Sequence, residues 1–215
     1  MTCAALASVL LAAAAPTNAV AAAMPQRECV LAEDATAAEM VAACRTMLPR
    51  DAELAGRIIL RNRRGTVQSE HSYELTRAEG ATSLKVDGSP LARGEGGASI
   101  MGTDVTWSDL TLDYLWWDDV SFDPEKEGET VHGQKCSVIV LKSGERLVRA
   151  WVDRKTGAMM QAEEMASGRA VRRLWGTRIK KFGERWAPNV MEVETLGSGH
   201  RTKITVEKLD IKGEK

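Results

Sequence analysis

Signatures of metal binding and of nucleophilic catalysis are missing from this sequence. It contains no C-x-x-C pair, and its three histidines (His71, His132, His200) stand singly. A metal centre therefore has no donor set, and no cofactor is expected. No Gly-x-Ser-x-Gly occurs, and "LGSGH" only places a serine near His200 in a turn-rich stretch. The glycines of "GEGG" (94–97) lack the preceding strand and following helix of a phosphate loop. An enzyme using Asp113, Asp119 and His132 is the remaining catalytic option. Asp118 and Asp119 would point to opposite sides of an extended chain. Asp109 and Asp113 are four apart, and solvation and helix capping account for them. The chain is thus expected not to be an enzyme.

Charge of one sign is also scarce. Lys+Arg number 29 against 30 Asp+Glu, a net charge of −1, and the signs are interspersed, so no basic field for nucleic acid exists. No repeat of 20–50 residues is evident. After residue 23 no stretch is apolar for long enough to span a bilayer.

The first 23 residues carry no charged side chain. An apolar run from Leu6 to Ala15 leads to the small residues Ala21, Ala22 and Ala23, which fit a cleavage site. No Lys or Arg precedes that run, while Pro16 and Asn18 interrupt it before it could span a membrane. The expectation is a signal peptide over 1–23, export, and one domain over 24–215. Export permits a disulfide. Cys29 and Cys44 are the nearest pair, and Cys136, in the apolar run "KCSVIVL", reads as a buried thiol.

One helix is legible. Thr36 followed by Glu39 fits a capping box, and Met40, Val41, Cys44, Met47 and Leu48 fall on one helical face ahead of Pro49. The period then changes to two. Leu54, Ile58 and Leu60 share a face up to the turn-rich Asn62–Gly65, and Val67, Tyr73 and Leu75 share one on the return, which also carries Ser69 and His71. "ATSLKVDG" is a third strand, and "SPLARGEGGASIMGTD" reads as an irregular loop. Five later turn signals, Lys142–Gly144, Arg154–Gly157, Ser167–Gly168, Lys181–Gly183 and Gly197–Gly199, space an antiparallel meander. The count is about ten strands, enough for a sheet to curl. Its alternating apolar positions include Ile139, Leu141, Trp151, Met159 or Met160, Trp175, Met191 and Val193.

"TWSDLTLDYLWWDD" (106–119) concentrates aromatic surface between aspartates. It reads as a short helix with Ser108 or Asp109 as N-cap, turning Trp107, Leu110, Tyr114 and Leu115 inward, with Trp116 and Trp117 leading into a strand. Core packing accounts for Trp107 and Leu110.

"GTDVTWSDLTLDYLWWDD", "HGQKCSVIVL", "VRAWVDRKTGAMMQAE" and "RRLWGTRIKKFGERWAPNVMEVETLGSGHRTKITVEKL" follow one another in an order that resembles bacterial outer-membrane lipoprotein-sorting proteins, the LolA-like carriers. The resemblance spans Glu53 to Leu209. It implies a mainly β fold: a half-open antiparallel barrel of about eleven strands, covered by an N-terminal helix and a short helix. It also implies an apolar cavity for acyl chains beneath that cover. The function implied is a periplasmic carrier of lipoproteins or a related lipid, with an inner-membrane donor and an outer-membrane acceptor, acting as a monomer. Candidate lipid-binding residues are Ile58, Leu60, Tyr114, Trp116, Trp117, Ile139, Trp151, Met160, Trp175 and Met191. The family's carriers hold the lid with an arginine on an early strand; Arg57 and Arg61 are the candidate counterparts here, and no motif assigns the role to either. The alternative is a regulatory module of the same fold, an envelope-stress sensor that contacts a membrane-protein partner.

Overall fold

The computed structural model describes residues 31–93, 97–126, 128–183 and 185–212. The expected signal peptide, Cys29, and most of the 94–97 glycine segment lie outside the described residues.

The chain forms a helix, α1 (Ala37–Met47), then strands β1 (Ala52–Asn62), β2 (Val67–Ala78), β3 (Ala81–Val86) and β4 (Ser89–Leu91). A short helix α2 (Trp107–Thr111) and a 3₁₀ turn (Asp113–Trp116) follow. The meander comprises β5 (Asp119–Phe122), β6 (Thr130–Val131), β7 (Gln134–Ser143), β8 (Arg146–Asp153), β9 (Met159–Ala166), β10 (Arg169–Phe182), β11 (Arg185–Thr195) and β12 (His200–Ile211). The twelve strands make one sheet in the order β4-β3-β2-β1-β12-β11-β10-β9-β8-β7-β5, with β6 paired only to β7. Every pairing is antiparallel, and among the described residues the outer edges of β4 and β5 have no partner strand, so the curled sheet is half-open. The loop expected after β3 begins with the short strand β4, whose tie to β3 is a tight turn.

Local chemistry sets these elements. Thr36 Oγ1 accepts from Glu39 N–H, and the Glu39 carboxylate accepts from Thr36 N–H at 2.8 Å, which starts α1. Two-residue turns join several hairpins. At Asp87–Gly88 (φ 48° and 77°) and Ser167–Gly168 (φ 49° and 74°) both residues are left-handed, the type I′ geometry whose twist matches the strands. That is why X-Gly pairs were visible as turns.

The concave face is apolar over most of its extent. Under α1, its buried Met40, Val41 and Cys44 meet Ile139, Leu141, Val148, Ala150 and Val152. Further round the sheet, Ile58, Tyr73, Leu75, Leu84, Leu174, Val193 and Ile204 lie beneath Ile100, Val105 and Trp107. Leu112 and Met159 touch both groups. Cys44 is a free, buried thiol that donates to Gly157 O at 3.1 Å, and burial pushes its pKa up to about 12. Gly157 is needed there: its φ is +70°, and a Cβ would come within 2.7 Å of Ala43 Cβ on α1. Cys136 is buried, as its apolar run suggested, in a small cluster with Val138 and Trp151.

Candidate functional site

The site built by these elements is the junction between the concave face and its cover, α1 with residues 106–117. Thr106, rather than Ser108 or Asp109, is the N-cap of α2, because Asp109 at the third helical position folds back to accept from Thr106 N–H (2.7 Å) and Thr106 Oγ1 (2.9 Å). α2 stops at Leu112, whose left-handed φ of 53° turns the chain into the 3₁₀ segment. Trp107, Tyr114 and Leu115 are buried, as the helical spacing suggested, and Leu110 packs partly buried against the second group.

Arginines tie the cover down. Arg45 of α1 donates to Leu115 O at 2.6 Å and joins the two parts of the cover to each other, whereas three others bind the cover to the sheet. Arg77 of β2 donates to Thr111 O at 2.5 Å and lies over the Trp116 ring at 5.7 Å, and burial pulls its pKa below the ordinary value. Arg146 of β8 donates to Ser108 Oγ at 3.0 Å and lies over the Trp117 ring at 5.0 Å. Arg172 of β10 is the hub: it donates to Asp109 Oδ2, to Glu164 Oε2 at 2.8 Å and to Asp104 O at 2.9 Å. Burial raises the Asp109 carboxyl, against the pull of Arg172 and the Thr106 donors. Around this cluster lies a cavity of about 20 Å³ bordered by Tyr114, Val148, Ala162 and Leu174 as well as the charged groups. A ligand pocket needs ~300 Å³ or more. The cover is therefore closed on the sheet here, and apolar side chains fill the space in which the resemblance implies a cavity.

The candidate residues divide by face. Ile58, Leu60, Ile139 and Met191 stand on the concave side: Ile58 pairs with Ile204 and Leu60 with Thr202, while Met191 packs against the second apolar group. Tyr114 is buried in the cover, its ring edge-on to Trp117 at 6.4 Å. Trp117 is half-buried and Trp116 is 49% exposed, so the tryptophan pair sits at the rim. Trp151, Met160 and Trp175 are not brought there. Ala150, Val152 and Leu174, their neighbours in sequence, take the concave positions, and strand alternation turns the other three to the convex face. Trp151 donates to Glu129 Oε2 at 2.6 Å and packs with Met160, while Arg201 lies over Trp175 at 5.2 Å.

Arg57 and Arg61 also face outward. Arg57 pairs with Glu70 and Glu207, and Arg61 donates to Gly65 O. Arg77, Arg146 and Arg172 were overlooked although a signal existed: each stands two residues from a buried apolar neighbour on its own strand (Leu75, Val148, Leu174) and so shares its face. The residues weighed for catalysis stand separately. Asp109 pairs with Arg172, Asp113 with Arg93, Asp119 is exposed on an edge strand and His132 forms a turn; among the described residues no hydrogen bond joins any two of them. No group of His, Cys, Asp and Glu able to hold a metal is found among the described residues, and no described helix is long and apolar enough to cross a membrane.

Residues 89–214 match the model of a family described as an uncharacterized protein. No curated protein matches the chain. Among solved structures, the chain is similar to a LolA superfamily protein from Nitrosomonas europaea, with 12% identity over 84% of this chain and 96% of that one, at a TM-score of 0.64. It is similar to a domain named for outer membrane lipoprotein sorting from Vibrio parahaemolyticus, with 13% identity over 83% and 93%, at 0.63. A DUF1329 family protein from Desulfovibrio piger gives 16% identity over 83% and 93%, at 0.61. At these identities the likeness establishes a LolA-like fold.

Proposed function

The chain belongs to the family whose model spans residues 89–214, and from the LolA-like fold and its apolar concave face we propose that it is a periplasmic carrier that shelters acyl chains of lipoproteins or a related lipid between sheet and cover. The observation that carries this reading is the asymmetry of the concave face. A broad apolar surface is covered by two helices and a 3₁₀ turn, held by arginine bonds to carbonyls and hydroxyls, rather than by a second sheet. Such a cover can leave without unzipping a strand ladder. Each CH₂ transferred beneath it contributes ~0.8 kcal/mol, so a few chains bind usefully and still reversibly. Ile58, Leu60, Ile139, Met191 and Tyr114 would contact the chain, with Trp116 and Trp117 at the mouth.

Titration with a fluorescent fatty-acid probe, together with mass spectrometry of organic extracts from protein purified out of a native periplasm, tests the reading. Saturable probe binding and co-purified acyl lipid are expected. Absence of both would overturn it, and capture of a membrane-protein partner without lipid would favour the regulatory module. Trp175→Asp serves as a control. Its ring is on the convex face, half-buried under Arg201 and opposite Glu192, so unfolding free energy should fall by about 1–2 kcal/mol while probe affinity of the folded protein is unchanged. A loss of binding with the fold intact would return Trp175 to the lining.

A further inference from the structure

Two polar side chains interrupt the apolar concave face on β2. Ser69 stands opposite Leu60 of β1 and His71 opposite Ile58. The His71 side chain is only 19% exposed, and its Nδ1 lies 2.7 Å from Asp87 Oδ2. Asp87 is itself held in place by Ser72, whose N–H (2.8 Å) and Oγ (3.2 Å) both donate to its Oδ1. At the other end of the ring the pattern changes. His71 Nε2 and Ser69 Oγ are both buried, and neither has a hydrogen-bond partner among the described residues. Buried polar atoms without partners carry a desolvation cost that a folded protein seldom leaves uncompensated.

The tautomer follows from Asp87. His71 and the Ser72 donors hold the Asp87 carboxyl below its ordinary range, so it is ionised and can only accept. Nδ1 must therefore carry the proton, and in the neutral ring Nε2 presents a lone pair to the apolar face. Ser69 and His71 share no hydrogen bond, so the serine is not primed as a nucleophile and the pair suits binding rather than acyl transfer. In the neutral ring that lone pair selects for a donor, so the acyl probes that test the pair are compared at about pH 9, well above the ordinary imidazole range.

We propose that Ser69 and His71 form a polar subsite on the concave face that receives an N–H or O–H group borne close to an acyl chain, so that the cargo is an N-acyl or hydroxyacyl lipid rather than a plain ester. This assignment rests on the carrier reading. It names which acyl lipids the concave face prefers: an ester offers only acceptors to Nε2, while a secondary amide or a hydroxyl supplies the missing donor.

The test uses three probes of equal chain length competing against a fluorescent fatty acid: methyl myristate, N-methylmyristamide and methyl 3-hydroxymyristate. Ester and amide differ by one donor at the same place, so their affinity ratio reports the subsite alone. In the unaltered protein the amide, the hydroxy ester or both should bind at least as tightly as methyl myristate, despite their greater cost of desolvation. In His71→Leu that ratio should fall by about tenfold, with methyl myristate unchanged within about twofold. Ser69→Ala, which removes a single hydroxyl, should lower it less. A gain confined to the amide assigns N-acyl cargo, and one confined to the hydroxy ester assigns hydroxyacyl cargo. If methyl myristate binds and the ratio is the same in all three proteins, the subsite is overturned and the carrier stands. If no probe binds, the carrier reading falls and the subsite falls with it.

Discussion

Replacing Arg172 by leucine is expected to cost about 3–5 kcal/mol of folding stability, the cost of breaking a buried ion pair from one side. The guanidinium is 14% exposed and Asp109 is 10% exposed. Leucine would leave Asp109 without its cation and Asp104 O without a donor, at the point where α2 meets β9 and β10. Chemical denaturation measures the loss. Its pH dependence identifies the cause. Without Arg172, burial is opposed only by the Thr106 donors and carries the folded pKa of Asp109 further above the unfolded value. A carboxyl raised in this way is protonated in the folded chain while it ionises in the unfolded one. The deficit therefore grows as pH rises above the ordinary carboxylate range and shrinks as pH falls toward it, so it should be smaller near about pH 4 than near about pH 8. Arg172→Lys should recover part of the loss, since it restores the charge without the forked geometry. A deficit under about 1 kcal/mol, or one independent of pH, would mean that the buried pair is not what seats α2.

Gly56→Ala should be at least as damaging, with an expected cost above about 3 kcal/mol. A Cβ at Gly56 would lie 1.8 Å from Thr205 O and 3.1 Å from the Tyr73 ring. The obstacle is backbone on a neighbouring strand, and it is pinned: Arg57 N–H donates to Thr205 Oγ1 at 3.2 Å, and Tyr73 OH donates to Thr205 O at 3.2 Å. The β1–β12 register also shifts between Ala55 and Gly56, a bulge that bends two central strands and helps curl the sheet. Gly176→Ala is the matched control. It sits at another irregularity, yet nothing lies within 4 Å of its added Cβ, and its φ is not left-handed, so the change should be neutral or stabilise by about 0.5–1 kcal/mol. Equal stability of the two variants would remove the close approach at Gly56.

Much of the fold was readable residue by residue. Thr36 with Glu39 announced α1, the glycines of the five turns of the second half fell between observed strands although β7 and β10 run on through Ser143 and Phe182, and alternation on β1 and β2 put Ile58, Leu60, Tyr73 and Leu75 on one face. The site was less readable for two physical reasons. An aromatic ring buries well on either side of a strand, so Trp151 and Trp175 looked like lining although small residues beside them hold the concave positions. Charged residues on strands usually face water, and only the cover shows that Arg77, Arg146 and Arg172 turn inward to meet carbonyl, hydroxyl and carboxylate oxygens of 104–115.

Local chemistry thus determined which segments became helix, strand and turn, because caps, type I′ turns and alternation act within a few residues. Which face of the sheet became the inside, where β12 presses on Gly56, and what satisfies the inward arginines were decided only when distant strands closed round the cover. Those contacts join positions a hundred or more residues apart, such as Gly56 and Thr205 or Cys44 and Gly157, and no nearest-neighbour rule reaches that far.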